Sequence, residues 1–213
     1  MATICPSITA RNPHTYRTQM ERVAHVAQRI HIDLMDGAFA PHKSIEISDI
    51  WWPVGMKADI HLMYKRPLEV VGDLIALKPS LVIVHAEAEG NFYEVAEMLK
   101  SHNIKIGVAL LQRTAVDEIE PVVGVLDHVL IFSGDLGRFG GRADSGLLDK
   151  VRAVKAKNPN IEVGWDGGVD DNNAQNLIEA GVDVLDVGGF IQHAEDPRAA
   201  YAKLKSITGN KDV

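Results

Sequence analysis

The sequence predicts an α/β chain folded as one (β/α)₈ (TIM) barrel domain. Three observations point there. Short apolar runs alternate with amphipathic stretches from one end of the 213 residues to the other. Eight of those runs have strand length, and the segments between them can carry the crossovers of a parallel sheet. Polar residues stand at the ends of many different runs. A barrel builds its site from many strand ends in this way, whereas an open doubly wound sheet gathers them at one switch point.

The elements follow in order. Residues 3–7 (TICPS) read as the first strand. Residues 13–28 read as a helix, because Tyr16, Met20, Val23 and Ala27 share a face at helical spacing. Residues 31–35 (HIDLM) are the second strand, and the long loop after Gly37 has room for a short helix. Trp51 and Trp52 in that loop read as packing residues, with a subunit contact as the alternative. Residues 57–63 (KADIHLM) are the third strand. Pro67 suits the first position of a helix whose inner face is Leu68, Val71 and Ile75. Residues 80–85 are the fourth strand, and Asn91 with Glu94 marks a helix start that continues through Val95 and Leu99. Residues 104–110 are the fifth strand. A helix through Val116 and Ile119 leads to the sixth, at 126–132. A helix from Ser145 to Lys157 precedes the seventh strand, 161–166. A helix over 171–180 ends at Gly181, a normal C-terminal cap. Residues 182–187 are the eighth strand, and Asp196-Pro197 starts a last helix with Ala200, Leu204 and Ile207 inward.

Composition narrows the function. Net charge is −7, with 46% hydrophobic and 24% charged residues, an ordinary soluble globular balance. No linker or low-complexity tract divides the chain, so one domain over 1–213 is expected. The acidic balance argues against nucleic acid and against an anionic membrane as partners. A small phosphorylated substrate remains compatible, because backbone amides bind phosphate without Lys or Arg. Cys5 is the single cysteine, which excludes an intramolecular disulfide and a thiolate metal cluster. With no signal-peptide pattern and no apolar run of membrane-spanning length, a cytoplasmic location is expected.

The chemistry sits on the strands. Side chains alternate faces with a period of two. His31, Asp33 and Met35 therefore share one face of their strand, opposite Ile32 and Leu34. His61 and Met63 likewise oppose Ile60 and Leu62. Ser7 stands at the end of the first strand, His85 and Glu87 at the fourth, and Asp166 at the seventh. Imidazoles and carboxylates at i and i+2 can converge on one divalent ion, and such a set suits Zn²⁺, Fe²⁺, Mn²⁺ or Co²⁺. The alternative for the second strand alone is a buried His-Asp pair that satisfies itself. Three glycine pairs, Gly140-Gly141, Gly167-Gly168 and Gly188-Gly189, follow strands six, seven and eight, where barrels commonly hold phosphate on backbone amides.

Along nearly its whole length the chain resembles the ribulose-phosphate 3-epimerases. The matching segments are Cys-Pro-Ser-Ile at 5–8, HIDLMDG at 31–37, Pro41, DIHLM at 59–63, VHAE at 84–87, FGG at 139–141 and DGGV at 166–169. The resemblance implies one divalent metal bound by His31, Asp33, His61 and Asp166, with Asp33 and Asp166 also serving as acid and base. It places Ser7, His61, Met35, Met63 and the glycine pairs around a sugar phosphate, and a homo-oligomer is expected. Position 35 is Met where the related decarboxylases carry Lys, which argues against decarboxylation.

The chain departs from that pattern in its loops. Residues 132–142 lose a proline, gain one residue and carry Arg138 and Arg142. Leu-Leu-Gln-Arg-Thr at 110–114 replaces an Asn-Pro turn. Gly-Gly-Phe after the eighth strand lacks a hydroxyl, and Asp186 stands at an apolar position, where a structural salt bridge is expected. His85 reads equally as support for the site or as packing, and Cys5 as a small buried side chain. Three functions follow: epimerisation of D-ribulose 5-phosphate at carbon 3, the same chemistry on a hexulose 6-phosphate such as allulose 6-phosphate, or a barrel that binds a phosphorylated ligand without catalysis.

Overall fold

In the computed structural model, which describes residues 2–138 and 141–209, eight parallel strands close into a barrel in sequence order. They are β1 (Thr3–Ile8), β2 (Arg29–Met35), β3 (Lys57–Met63), β4 (Leu81–His85), β5 (Lys105–Leu110), β6 (His128–Phe132), β7 (Glu162–Asp166) and β8 (Val184–Val187). Each begins and ends within two residues of its predicted span. Register sets the site. Asp33 pairs with His61 and Met35 with Met63 across β2 and β3, while Asp166 pairs with Phe132 on one side and Asp186 on the other. Paired residues in a ladder point to the same side, so these all face the barrel interior.

The opposite, outward faces carry Ile, Leu and Val that pack under the helices in one continuous core. The interior is layered. Near the strand starts, the Arg29 guanidinium bonds Asp59 at 2.6 Å and both Glu162 oxygens at 2.9 and 2.7 Å. His128 Nδ1 adds a 2.8 Å contact to Glu162. Gly164 leaves room for that imidazole, since a Cβ there would lie 2.5 Å from His128 Nε2. Leu81, Ile83, Ala109 and Leu130 form an apolar plug in the interior. The polar ends of the strands stand beyond it.

Helices α1 (Pro13–Val23), α2 (Val71–Leu77), α3 (Phe92–Ser101), α4 (Leu148–Lys157), α5 (Ala174–Glu179), α6 (Gly189–Gln192) and α7 (Pro197–Ile207) complete the fold. Side-chain caps fix several starts: Asn12 accepts from Thr15 N, Asn91 from Tyr93 N, and Asp196 from Arg198 N and Ala199 N. The predicted helix through Val116 and Ile119 is instead two 3₁₀ turns, Val116–Ile119 and Val123–Val125. Pro121 lies between them and cannot continue a helix. The predicted first helix ends early, at Val23, where the Ala24 and Ala27 amides turn back to the Met20 and Val23 carbonyls. The helix predicted from Pro67 opens as a 3₁₀ turn and runs as α2 only from Val71. The four-residue α6 was not anticipated. Trp52 packs against the core as expected. Trp51 remains 42% exposed, edge-on to Tyr16, whose hydroxyl donates to the Trp51 carbonyl.

Candidate active site

Three adjacent interior positions and one across the barrel converge at the mouth. His31 Nε2 lies 3.2 Å from Asp33 Oδ1 and 3.9 Å from Asp166 Oδ2. His61 Nδ1 lies 3.0 Å from Asp33 Oδ1 and 3.6 Å from Asp166 Oδ2. One donor atom from each of the four falls within 4.8 Å of all the others. Both imidazoles are fully buried, and His31 Nε2 makes no hydrogen bond of good geometry among the described residues. Two carboxylates and two imidazoles crowded out of water, with no Lys or Arg among them, form the donor set that a divalent cation neutralises. The residues fit such an ion.

The electrostatics separate the two aspartates. Burial opposes ionisation of Asp33, but the His31 and His61 imidazoles outweigh it and hold the carboxyl below the usual range. Burial, reinforced by the charge of Asp33, pushes Asp166 well above that range. Burial also disfavours the charged form of His31, yet Asp186 and then Asp33 raise it. His61 falls to about 4, chiefly through burial. Adjacent carboxyls with opposite tendencies are the arrangement that acid-base chemistry uses.

Partners behind the cluster hold it in place. Thr9 Oγ1 donates to Asp33 Oδ2. His61 Nε2 meets His85 Nε2 at 2.9 Å, and His85 Nδ1 stands 3.4 Å from Glu87 Oε2. Glu87 in turn accepts from Leu111 N and from Thr114 Oγ1. His85 therefore supports the site and also packs, its ring 4.6 Å from that of Phe39. Asp186 Oδ1 lies 3.3 Å from His31 Nδ1, so the carboxylate expected in a structural salt bridge belongs to the site. Cys5 is a small buried side chain as expected; burial first, and then Asp186, push its thiol upward.

A cavity of about 320 Å³ opens over the cluster. Ser7, Asp33, Met63, Asp166 and Asp186 line its floor, and Gly141, Gly167, Gly168, Gly188 and Gly189 its wall. Gly140 lies outside the described residues. Met35 is fully buried with Ala40 and Met63 beneath the loop at Gly137, so of the two methionines Met63 reaches the cavity. The turn after β7 requires its glycines. Gly167 has φ +115°, and a Cβ there would lie 2.2 Å from Gly134 N; Gly168 has φ +69°, and a Cβ would lie 2.2 Å from Ala143 N. Trp165 Nε1 donates to the Gly167 carbonyl at 3.0 Å and pins the turn to β7.

A model of the ribulose-phosphate 3 epimerase family matches residues 3–191. The chloroplastic ribulose-5-phosphate-3-epimerase of Arabidopsis thaliana is 35% identical over 95% of this chain and 76% of its own. The chain belongs to the ribulose-phosphate 3-epimerase family. The ribulose-phosphate 3-epimerase of Bacillus subtilis is 32% identical over 84% of this chain and 86% of its own. A tryptophan synthase structure from Mycobacterium tuberculosis covers 99% of this chain and 93% of its own at TM-score 0.75 and 16% identity, a likeness of fold. Arg138, Phe190 and His193 line the cavity together with the glycines. Arg142 is exposed and does not line the cavity. Among the described residues no helix is long and apolar enough to cross a membrane.

The sequence missed Thr9, whose hydroxyl reaches Asp33, and the cavity-lining His193. Neither stands in a motif. Asp186 carried a legible signal, a carboxylate at an interior position of an otherwise apolar strand.

Proposed function

We propose that this chain inverts carbon 3 of a ketose phosphate, with D-ribulose 5-phosphate and D-xylulose 5-phosphate as the pair. The observation that carries this reading is Asp33 and Asp166 together in a four-residue His/Asp cluster on the floor of a cavity of about 320 Å³. Carbon 3 is acidic because it adjoins a ketone. Inversion removes its proton from one face and returns a proton to the other. One aspartate accepts the proton, the electron pair moves into an enediolate, and the other aspartate delivers a proton to the opposite face. The two exchange roles when the reaction runs backwards. His31, Asp33, His61 and Asp166 would hold one Zn²⁺, Fe²⁺, Mn²⁺ or Co²⁺ ion, which when bound supplies Lewis-acid stabilisation of the charge developing on the substrate oxygens.

The remaining residues bind and exclude water. Ser7 Oγ, buried with no partner of good geometry among the described residues, offers a hydrogen bond to the sugar. Met63 lays a polarizable apolar surface against the planar intermediate, with Met35 packed behind it. Amides of Gly141, Gly167, Gly168, Gly188 and Gly189 face the phosphate. The relatives' names favour the pentose phosphate. The altered loops, which place Arg138 and Phe190 in the cavity lining, are the motive for a second reading, the same chemistry on a hexulose 6-phosphate.

The test is a substrate panel with each metal supplied separately. D-ribulose 5-phosphate turned over best establishes the first reading. A hexulose 6-phosphate turned over best establishes the second. No turnover of any ketose phosphate rejects both.

A further inference from the structure

Asp186 sits in the barrel interior on β8, 2% exposed, in register with Cys5 on one side and Asp166 on the other. Neither of its oxygens has a hydrogen bond of good geometry among the described residues, and the same holds for His31 Nδ1. The two unpartnered groups face each other at 3.3 Å. A buried carboxylate and a buried imidazole nitrogen each left alone would carry a desolvation penalty. They offset it by meeting. The other nitrogen of the same ring, Nε2, points at Asp33 and Asp166.

We propose that Asp186 is a positioning residue: it accepts the Nδ1 proton of His31 and thereby fixes the ring with the Nε2 lone pair directed into the His/Asp cluster. An imidazole has one proton to place on two nitrogens. In a site with carboxylates at both ends of the ring, the proton's position decides whether His31 is a ligand or a donor. Asp186 settles it toward ligand, and its negative charge makes the ring more basic. His61 is served differently, by a second imidazole, His85. The two imidazoles of the cluster therefore have unlike supports, a carboxylate for one and an imidazole for the other.

This inference rests on the metal-site reading above, and its test separates the two. Full-length wild type, Asp186→Val and Asp186→Asn are compared by chelator competition for Zn²⁺ and by ¹⁵N NMR of the His31 ring in metal-free protein at about pH 9. Wild type is expected to show the Nδ1–H tautomer. Asp186→Val is expected to shift the ring toward Nε2–H and to weaken Zn²⁺ binding about 10–100-fold. Asp186→Asn keeps a neutral acceptor and is expected to fall between them. An unchanged tautomer together with Zn²⁺ affinity within about twofold of wild type in Asp186→Val would overturn the inference. Wild type that binds no divalent ion would reject the metal reading, and the tautomer comparison would still decide the role of Asp186.

Discussion

The Nε2 atoms of His61 and His85 face each other at 2.9 Å inside the barrel. One must donate and the other accept. If His61 Nδ1 keeps its lone pair for the cluster, Nε2 carries the proton, and His85 accepts it while its own Nδ1–H points at Glu87 3.4 Å away. With that tautomer the chain of contacts His61–His85–Glu87 runs from the cluster out to the β5 loop.

Replacing His85 by Leu keeps the volume and the packing on Phe39 but leaves His61 Nε2 buried and alone. The expected cost is about 1–3 kcal/mol of stability, the usual penalty for an orphaned buried polar group. Metal affinity is expected to fall about 10–100-fold. Urea unfolding and chelator competition read the two effects. Wild-type values on both would show that His85 only packs.

Gly167→Ala tests the turn that joins the catalytic floor to the glycine wall. A Cβ at φ +115°, 2.2 Å from Gly134 N, forces the loops after β6 and β7 apart. The expected result is a lower melting temperature and a KM raised more than kcat is lowered, because the clash lies in the glycine wall proposed to hold the phosphate. An unaltered KM would mean that this wall does not hold the substrate.

The strand-start network gives a pH signature. Burial opposes ionisation of Glu162, but Arg29 and His128 outweigh it and hold the carboxyl below the ordinary glutamate range. A depressed carboxyl contributes stability above its unfolded pKa of roughly 4.3 and loses that contribution as pH falls toward its folded value. Glu162→Gln is therefore expected to destabilise at pH 7, with the difference from wild type shrinking as pH drops below about 4. Thermal unfolding of both proteins between pH 3 and 7 checks it. A difference independent of pH would show that the ion pairs add nothing beyond packing.

Much of this was legible in the sequence, for a local reason. Period-two alternation puts His31 with Asp33 and His61 with Met63 on common faces, and those faces are interior in the structure. What escaped is what register alone decides. Asp186 meets His31 because β8 closes against β1 and β1 against β2, a relation between residues more than 150 positions apart. Arg29, Asp59, His128 and Glu162 meet for the same reason near the strand starts. The apolar spacing of Val116 and Ile119 predicts a helix, but Pro121 interrupts it and leaves two 3₁₀ turns.

The central claim is that Asp33 and Asp166 move the proton at carbon 3. The direct measurement is NMR of D-ribulose 5-phosphate in heavy water with wild type and with Asp166→Asn, each loaded with the same metal. Wild type is expected to place deuterium at carbon 3 as xylulose 5-phosphate forms, while the folded variant loses about 10²–10⁴-fold in rate. Exchange at the wild-type rate in Asp166→Asn would contradict the account.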